Sequence, residues 1–199
     1  MIQHDSAIDD FFAASEQLFA QIQSKSAALT LAALSSRRAT GEPTAASLDD
    51  NEAPIDKPDT LSTAFSIDTL DTTRDCFTAL LELESKIEWM NSGKASGAAY
   101  TQLLGPGCLY PNISTRFGLF WLPPNCHYAS HIHAADEIYI PIAGHIEFSL
   151  DDEDFVTGPL GDGKIIDSMV AHALKTQTHP ALLLWSWNGE ISMSSYRYT

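Results

Sequence analysis

The chain has 199 residues, 44% of them hydrophobic, and a formal net charge of -15 from 26 acidic and 11 basic side chains. This length fits one domain with an accessory segment, and the charge disfavours nucleic acid as a partner, because phosphate binding needs clustered lysine and arginine. No apolar run approaches the length of a membrane span, no signal peptide is evident, and the 3 cysteines show no paired spacing. We therefore expect no membrane association and a cytoplasmic location.

The N-terminal part of the chain is predicted to be helical. Apolar residues recur at helical spacing over residues 5–35 and again over 66–91. Between them, residues 39–60 are rich in proline, alanine and acidic side chains and have little to bury, which predicts a mobile acidic loop or linker. We assign residues 1–96 to a small helical N-terminal segment.

From about residue 97 the pattern changes to short runs of aromatic and branched residues separated by turns. These runs are FGLFWL, EIYIPI, HIEFSL, KIID and ALLLWSW. Several short strands at this spacing predict a mainly β fold over residues 97–199, either an antiparallel barrel or a double-sheet jelly roll. Pro141 lies inside one run and cannot donate to a β-ladder, so we expect an edge strand or a bulge there.

Four residues in this half of the chain predict a metal site. His131, His133 and Glu137 lie in HIHAADEIYIPIAG, and His172 follows Glu137 by 35 positions. Side chains alternate along a strand, so the first two histidines share a side, as do Glu137 and Tyr139. Imidazole and carboxylate suit one divalent transition metal, such as Zn, Fe, Mn, Ni or Co. A site with open positions favours catalysis, so we predict a metalloenzyme.

The spacing His-x-His-x3-Glu-x6-Gly resembles the first motif of the cupin superfamily, with Asn125 at its leading glycine. The second cupin motif can be placed on residues 161–176. Gly161 and His172 match it, whereas its Pro, Gly and Asn are replaced by Asp167, Met169 and Thr176. The resemblance implies a single cupin β-barrel, a double-stranded jelly roll, after the helical segment.

Residues 103–190 further resemble the bacterial cupin-type dimethylsulfoniopropionate (DMSP) lyases. The shared features are a tyrosine before the histidine pair, a tyrosine two residues after the glutamate and a tryptophan after the last ligand: Tyr128, Tyr139 and Trp187. This resemblance implies β-elimination of DMSP, a small-molecule substrate, to dimethyl sulfide and acrylate.

In such a reaction a metal acts as a Lewis acid on the substrate carboxylate, and a base removes the adjacent proton. We predict Tyr139 as that base, with the cation lowering its pKa from about 10. Tyr128 is expected to support the base, contact the carboxylate or gate the pocket. The sulfonium group suits aromatic faces, and the candidates for it are Trp187, Trp121 and Trp185. Strand alternation places Trp185 and Trp187 on one face.

Other functions share this ligand set. An iron cupin dioxygenase and a sugar isomerase are alternatives, as is a non-catalytic cupin that binds a small molecule. The two tyrosines favour the lyase. The sequence leaves the native metal open and is compatible with a homodimer. His4, His145 and His179 belong to no cluster and are predicted to be surface or structural residues.

Overall fold

The computed structural model describes residues 6–37, 54–55, 71–83, 85, 87–92, 95 and 97–199. Helices in these ranges are α1 (Ser6–Phe19), α2 (Lys25–Ser35) and α3 (Asp71–Leu83). The strands before the predicted metal motif are β1 (Pro54–Ile55), β2 (Trp89–Asn91), β3 (Ala99–Leu104) and β4 (Thr115–Leu122). The remaining strands are β5 (His127–Ile132), β6 (Ala135–Gly144), β7 (Ile146–Leu150), β8 (Val156–Gly158), β9 (Lys164–Ile166), β10 (His172–Lys175), β11 (Ala181–Gly189) and β12 (Arg197–Tyr198).

The described strands form two antiparallel sheets. The seven-stranded sheet has the order β1-β2-β3-β4-β11-β6-β9, and the five-stranded sheet has the order β12-β5-β10-β7-β8. Apolar residues from both sheets share one buried cluster, which includes Phe120 and Leu183 of the first and Phe148 and Leu174 of the second. The fold is therefore mainly β, a two-sheet jelly roll preceded by helices, as the sequence predicts.

The seven-stranded sheet is buried on both of its faces, since the helices cover the side that points away from the other sheet. Phe117 of β4 lies within 6.2 Å, centroid to centroid, of the rings of Phe11, Phe12 and Phe19 in α1. Phe120, on the opposite face of β4, belongs to the core between the sheets. Burial of both faces explains why FGLFWL and ALLLWSW read as continuous apolar runs rather than as alternating ones.

The predicted helix over residues 5–35 is two helices. Residues 20–24 separate α1 from α2, and Ser24 caps α2 by accepting a 3.0 Å hydrogen bond from the amide of Ala27. An N-cap serine has extended backbone geometry, which ends any continuous helix at that point. No helix in the described ranges is long and apolar enough to span a membrane.

The predicted helix over residues 66–91 is wrong at its C-terminal end, where Trp89–Asn91 forms β2 and pairs with β3. Helical spacing continues past Leu83, but cross-strand pairing of Met90 with Tyr100 decides the structure of this segment. The structure describes only residues 54–55 of the predicted loop over residues 39–60, and these two pair with β2. The other residues of the predicted loop lie outside the described residues. The seven-stranded sheet thus begins before residue 97, so residues 1–96 are not wholly separate from the barrel.

Pro141 produces a bulge, one of its two predicted outcomes. In the ladder between β6 and β11, Leu182 pairs with Ala143 and Leu183 pairs with Pro141, so Ile142 is the extra residue. Strand β6 lies between β11 and β9, but β9 pairs only as far as Tyr139. Because β9 does not reach Pro141, the missing N–H of the proline costs no hydrogen bond between β6 and β9.

A buried polar cluster attaches α2 to the back of β11. Thr30 Oγ1 lies 3.0 Å from Ser186 Oγ and accepts a 2.9 Å hydrogen bond from Asn188 Nδ2. Asn188 Oδ1 accepts a 3.0 Å hydrogen bond from Thr115 Oγ1. All four side chains are 3% exposed or less. The cluster satisfies polar groups that would otherwise be costly to bury, and it fixes α2 against the strand that carries two inward-facing tryptophans.

Candidate metal centre and active site

The four predicted ligands converge at one end of the space between the sheets. His131 of β5 pairs directly with His172 of β10, His133 follows β5, and Glu137 enters from β6 in the other sheet. Their potential ligand atoms all lie within 4.8 Å of one another. Each of the four residues is at most 2% exposed. Two sheets therefore bring together residues that are up to 41 positions apart, counting from 131 to 172.

Backbone carbonyls orient all three imidazoles. The Nδ1 atoms of His131, His133 and His172 lie 2.9, 3.1 and 3.0 Å from the carbonyl oxygens of Ala129, Ala135 and Val170 respectively. A carbonyl can only accept, so each neutral imidazole carries its hydrogen on Nδ1. Each Nε2 is then left with a lone pair, which is the form that binds a metal.

Glu137 completes the ligand set. Its Oε2 lies 3.0 Å from His133 Nε2 and 3.1 Å from His172 Nε2, and the latter nitrogen is buried without a hydrogen bond. Atoms that face one another in this way need a proton or a metal ion between them. Ligands placed about 2.1 Å from one metal at right angles would be about 3 Å apart, so the spacing fits a divalent metal.

The protonation states of His131 and Glu137 also fit metal binding. Burial and the neighbouring His172 lower the pKa of His131 to about 3, so its imidazole is neutral at pH 7. Burial alone would raise the pKa of Glu137, but His133 and His172 hold it below its ordinary value. A neutral imidazole and an anionic carboxylate are the forms that ligate a metal without first losing a proton.

Trp187 holds the other carboxylate oxygen. Its indole Nε1 donates a 2.7 Å hydrogen bond to Glu137 Oε1, and its ring centroid lies 4.3 Å from that of His133. As predicted, Trp185 and Trp187 share the inward face of β11, while Ser186 faces α2. Trp187 therefore orients a ligand in addition to forming part of the pocket wall.

An aromatic pocket opens beside the four ligands. Glu137 and His131 line it, together with Ser92, Met193 and six aromatic residues: Tyr100, Phe120, Tyr128, Tyr139, Trp185 and Trp187. A pocket with apolar walls and a few convergent polar groups is typical of a small-molecule site. Both predicted tyrosines thus reach the same space as the metal ligands.

The two tyrosines have different surroundings. Burial, together with the negative charge of the neighbouring Glu137, raises the pKa of Tyr139 well above 10 in the metal-free protein. Tyr128 packs against the ring of His131 at a centroid distance of 4.9 Å and accepts a 3.2 Å hydrogen bond from Tyr196. The predicted lowering of the Tyr139 pKa therefore depends on a bound cation.

Trp121 is not placed with the other candidates. It is 1% exposed and lies in the core between the seven-stranded sheet and the helices. Odd-numbered residues of β4 face the helices, whereas Phe120 faces the pocket, because side chains alternate along a strand. We therefore correct the prediction that Trp121 contacts substrate.

Sequence reasoning missed Tyr196, whose ring stacks on His131 at a centroid distance of 4.9 Å and an interplanar angle of 26°. It also missed Met193, which lines the pocket. Both lie in the polar C-terminal segment ISMSSYRYT, which has no ligand spacing and no strand pattern to mark them.

The remaining histidines lie apart from the cluster. His127 is exposed at the start of β5 and contacts the ring of Phe155. His145 and His179 are exposed with ring centroids 5.4 Å apart, and His4 lies outside the described residues.

Two positions where the cupin motifs carry glycine have left-handed backbone here. Asn125 has a φ of 56° and Met169 a φ of 66°. The amide of Met169 donates a 2.9 Å hydrogen bond to the carbonyl of His133, which ties the turn before His172 to another ligand. The turn thus keeps the conformation that glycine favours although the glycine is absent.

A two-sheet barrel with three histidines and one glutamate converging at one end defines a cupin with a candidate metal centre. A family model described as dimethylsulfoniopropionate lyase matches residues 27–183. The chain therefore belongs to the dimethylsulfoniopropionate lyase family.

Individual proteins are similar to this chain in part of its sequence or in its fold. The chain is 29% identical over 89 residues to dimethylsulfoniopropionate lyase DddQ of Ruegeria pomeroyi, and this match spans 45% of the chain but only 44% of that relative. The crystal structure of DddQ from Ruegeria pomeroyi covers 98% of this chain and 97% of its own, with a TM-score of 0.72 at 21% identity. A chain from the crystal structures of the DMSP lyases RdDddP and RnDddQII covers 98% of both, with a TM-score of 0.75 at 19% identity. At these identities the structures establish the shared fold.

Proposed function

We propose that this protein is a metal-dependent DMSP lyase that splits DMSP into dimethyl sulfide and acrylate. The observation that carries the proposal is the aromatic pocket, which Tyr139 and Tyr128 line together with His131 and Glu137, two of the four convergent ligands. Membership of the lyase family supports the same activity.

The reaction is a β-elimination. A base takes the proton from the carbon next to the substrate carboxylate, and the electron pair of that C–H bond becomes the new C=C bond. The C–S bond breaks with its electrons on sulfur, so that neutral dimethyl sulfide leaves and acrylate keeps the carboxylate. When bound by His131, His133, Glu137 and His172, a divalent metal supplies a Lewis acid for the carboxylate and a positive charge beside Tyr139.

Tyr139 is the proposed base. It lies on the inward face of β6 two residues after Glu137, and its ring packs between Phe120 and Phe148 at centroid distances of 6.1 and 5.9 Å. These contacts hold the phenol in one place, as proton transfer within hydrogen-bond reach requires. Tyr139 lines the same pocket as Glu137 and His131, which places the phenol beside the ligand cluster.

The aromatic walls are the proposed site for the sulfonium group. A cation is attracted to the faces of tryptophan, tyrosine and phenylalanine rings, most strongly when water is excluded. Trp187 and Trp185 stand edge to face with centroids 6.0 Å apart, and Tyr100 meets Trp185 at 6.5 Å. DMSP would then lie with its carboxylate toward the ligand cluster and its sulfonium toward these rings.

One divalent transition metal, Zn, Fe, Mn, Ni or Co, is the proposed cofactor, since mixed imidazole and carboxylate ligands suit each of them. A cytoplasmic location, the lack of nucleic-acid and membrane partners, and a homodimer remain proposals from the sequence. No feature of the pocket favours an iron dioxygenase or an isomerase over the lyase.

The test is detection of dimethyl sulfide by headspace gas chromatography from purified protein loaded with each of the five metals and supplied with DMSP. We expect dimethyl sulfide and acrylate in equal amounts, loss of both on chelation and recovery on adding metal back. His172→Ala is the matched control that removes one ligand. Absence of dimethyl sulfide with all five metals would rule out the proposal.

A further inference from the structure

The C-terminal strap, residues 190–199, crosses from the end of β11 to the edge of the other sheet. It contains a 3-10 turn, Met193–Ser195, followed by β12. Strand β12 pairs with β5 in the register Arg197 to Ile132 and Tyr198 to His131. The last strand of the chain is therefore paired with the residues that begin the metal motif.

Hydrogen bonds fix the strap along its length. Arg116 Nε donates to the carbonyl of Ile191 at 2.9 Å, and the amide of Ala134 donates to Ser195 Oγ at 2.9 Å. At the end of the chain, the amide of Thr199 donates to the carbonyl of Ser130 at 3.1 Å. The last two bonds are made by Ala134 and Ser130, on either side of His131 and His133, so the strap and the metal motif are held to each other.

Tyr196 is the strap residue that reaches the site. Its ring stacks on His131, and its hydroxyl donates a 3.2 Å hydrogen bond to the hydroxyl oxygen of Tyr128. With its oxygen accepting from Tyr196, Tyr128 has its own hydrogen left to donate.

The ring of Tyr128 is fixed at the wall of the pocket. The ring is held by edge-to-face contacts with Phe120 at 5.2 Å and His131 at 4.9 Å, and Tyr128 lines the pocket beside the metal ligands. An O–H donor beside a cation site is suited to a carboxylate, which can use one oxygen for each.

We propose that Tyr196 is a positioning residue, which sets Tyr128 as a hydrogen-bond donor to the carboxylate of the bound substrate. The proposal rests on the proposed function for the identity of that substrate, but it requires only a carboxylate ligand in the pocket. Tyr196 itself does not touch the reacting atoms. It acts through Tyr128, and its ring covers the outer side of His131.

The test compares Tyr196→Phe, which keeps the stacked ring and removes the donated hydrogen bond, with the wild-type protein. The probe is propionate, an unreactive carboxylate, titrated by calorimetry into metal-loaded protein. We expect the Kd for propionate to rise about fivefold to tenfold, as loss of one hydrogen bond between neutral groups would give, since the variant removes only the bond from Tyr196 to Tyr128. The KM for DMSP should rise similarly, with a smaller change in kcat and an unchanged metal content.

Tyr198→Phe is the matched control, because it removes a hydroxyl from the same strap on a side chain that is 51% exposed. It should bind propionate as the wild-type protein does. Tyr128→Phe and the double variant Tyr128→Phe/Tyr196→Phe should bind propionate equally, since Tyr196 acts only through Tyr128. If Tyr196→Phe does not fold, Ser195→Ala, which frees the strap from Ala134, should weaken propionate binding in the same direction.

Three results would overturn the proposal: wild-type affinity in Tyr196→Phe, additive losses in the double variant, or no propionate binding by the wild-type protein. A wild-type protein that binds propionate but releases no dimethyl sulfide would instead reject the proposed function, and the propionate series would still decide the role of Tyr196.

Discussion

Trp187 and Glu137 face each other across neighbouring strands, and the indole Nε1 donates a 2.7 Å hydrogen bond to Oε1 of the carboxylate. The two residues are direct partners in the ladder between β11 and β6, so the backbone itself sets the contact. With Oε1 held in this way, Oε2 faces His133 and His172. One side chain thereby decides which carboxylate oxygen is presented to a metal.

Trp187→Phe should therefore weaken metal binding without removing a ligand. Phenylalanine keeps an aromatic ring in the wall but cannot donate to Oε1, and loss of such an orienting partner typically costs about 10- to 100-fold in metal affinity. Competition with a chelator of known affinity measures the change. Trp185→Phe is the control, because the Nε1 of Trp185 donates to the carbonyl of Leu119 instead. Equal metal affinities in the two variants would contradict the assignment.

Tyr139→Phe should separate metal binding from turnover. The phenol is not one of the four ligands, so the metal content measured by mass spectrometry should stay at the wild-type level. Loss of a general base should lower kcat by about 10²- to 10⁴-fold. Tyr128→Phe provides the comparison and should act mainly on KM. A Tyr139→Phe variant with near-wild-type kcat would remove this residue from the role of base.

The stability of the metal-free protein should fall as the pH falls from about 6.5. The pKa of His131 is 6.5 in its ordinary state and is lowered to about 3 in the fold by burial and by His172. Between these two values the unfolded chain takes up a proton that the folded chain does not, so acid favours unfolding. Urea denaturation of chelator-treated protein at pH 7, 6 and 5 measures the trend.

A substitution at His131 should reduce that pH dependence. His131→Gln has no group to protonate in this range, and the exposed His145→Gln serves as the control that keeps the buried imidazole. Identical pH dependence in His131→Gln and wild-type protein would assign the acid sensitivity to other groups.

Met169→Gly should stabilise the fold. At a φ of 66° a residue with a Cβ is strained by about 1–2 kcal/mol, whereas glycine is not, and the greater freedom of glycine in the unfolded chain returns about 0.5–1 kcal/mol. The side chain is 43% exposed, so little packing is lost. We expect a net gain of about 0.5–1 kcal/mol in the free energy of unfolding from chemical denaturation. Met169→Ala keeps the Cβ and should show no such gain, and an equal gain in both variants would exclude backbone strain as the cause.

Thr30→Val should destabilise the fold without affecting the metal. The substitution keeps the shape of the side chain but removes the oxygen that accepts from Asn188 and lies beside Ser186. Leaving buried polar partners unsatisfied costs about 1–3 kcal/mol. Denaturation with urea measures the loss, and Thr178→Val at an exposed position is the control. A change in metal affinity larger than the change in stability would show that α2 acts on the site directly.

The sequence was sufficient for the features that depend on short-range periodicity. Residues two positions apart in a strand must share a face, so His131 with His133, Glu137 with Tyr139, and Trp185 with Trp187 were each placed together correctly. The missing N–H of Pro141 predicted an edge strand or a bulge, and the structure has a bulge there. These predictions needed no knowledge of which strands are neighbours.

Features that depend on strand pairing were beyond the sequence. Trp121 has the same local pattern as Phe120, and only the position of the helices decides that one is packed behind the sheet and the other lines the pocket. Trp89–Asn91 reads as helix until its pairing with β3 is known. Tyr196 lies just before the short edge strand β12, whose partner, β5, is more than 60 positions earlier, so no local signal links it to His131.

The three imidazoles depend on main-chain carbonyls, and Glu137 depends on a side chain. A single substitution can delete an indole, but it cannot delete a carbonyl oxygen. Natural variation that tunes this centre while keeping all four ligands should therefore accumulate at position 187 rather than at Ala129, Ala135 or Val170. Relatives that select a different metal through the same four residues would be expected to differ first at that position.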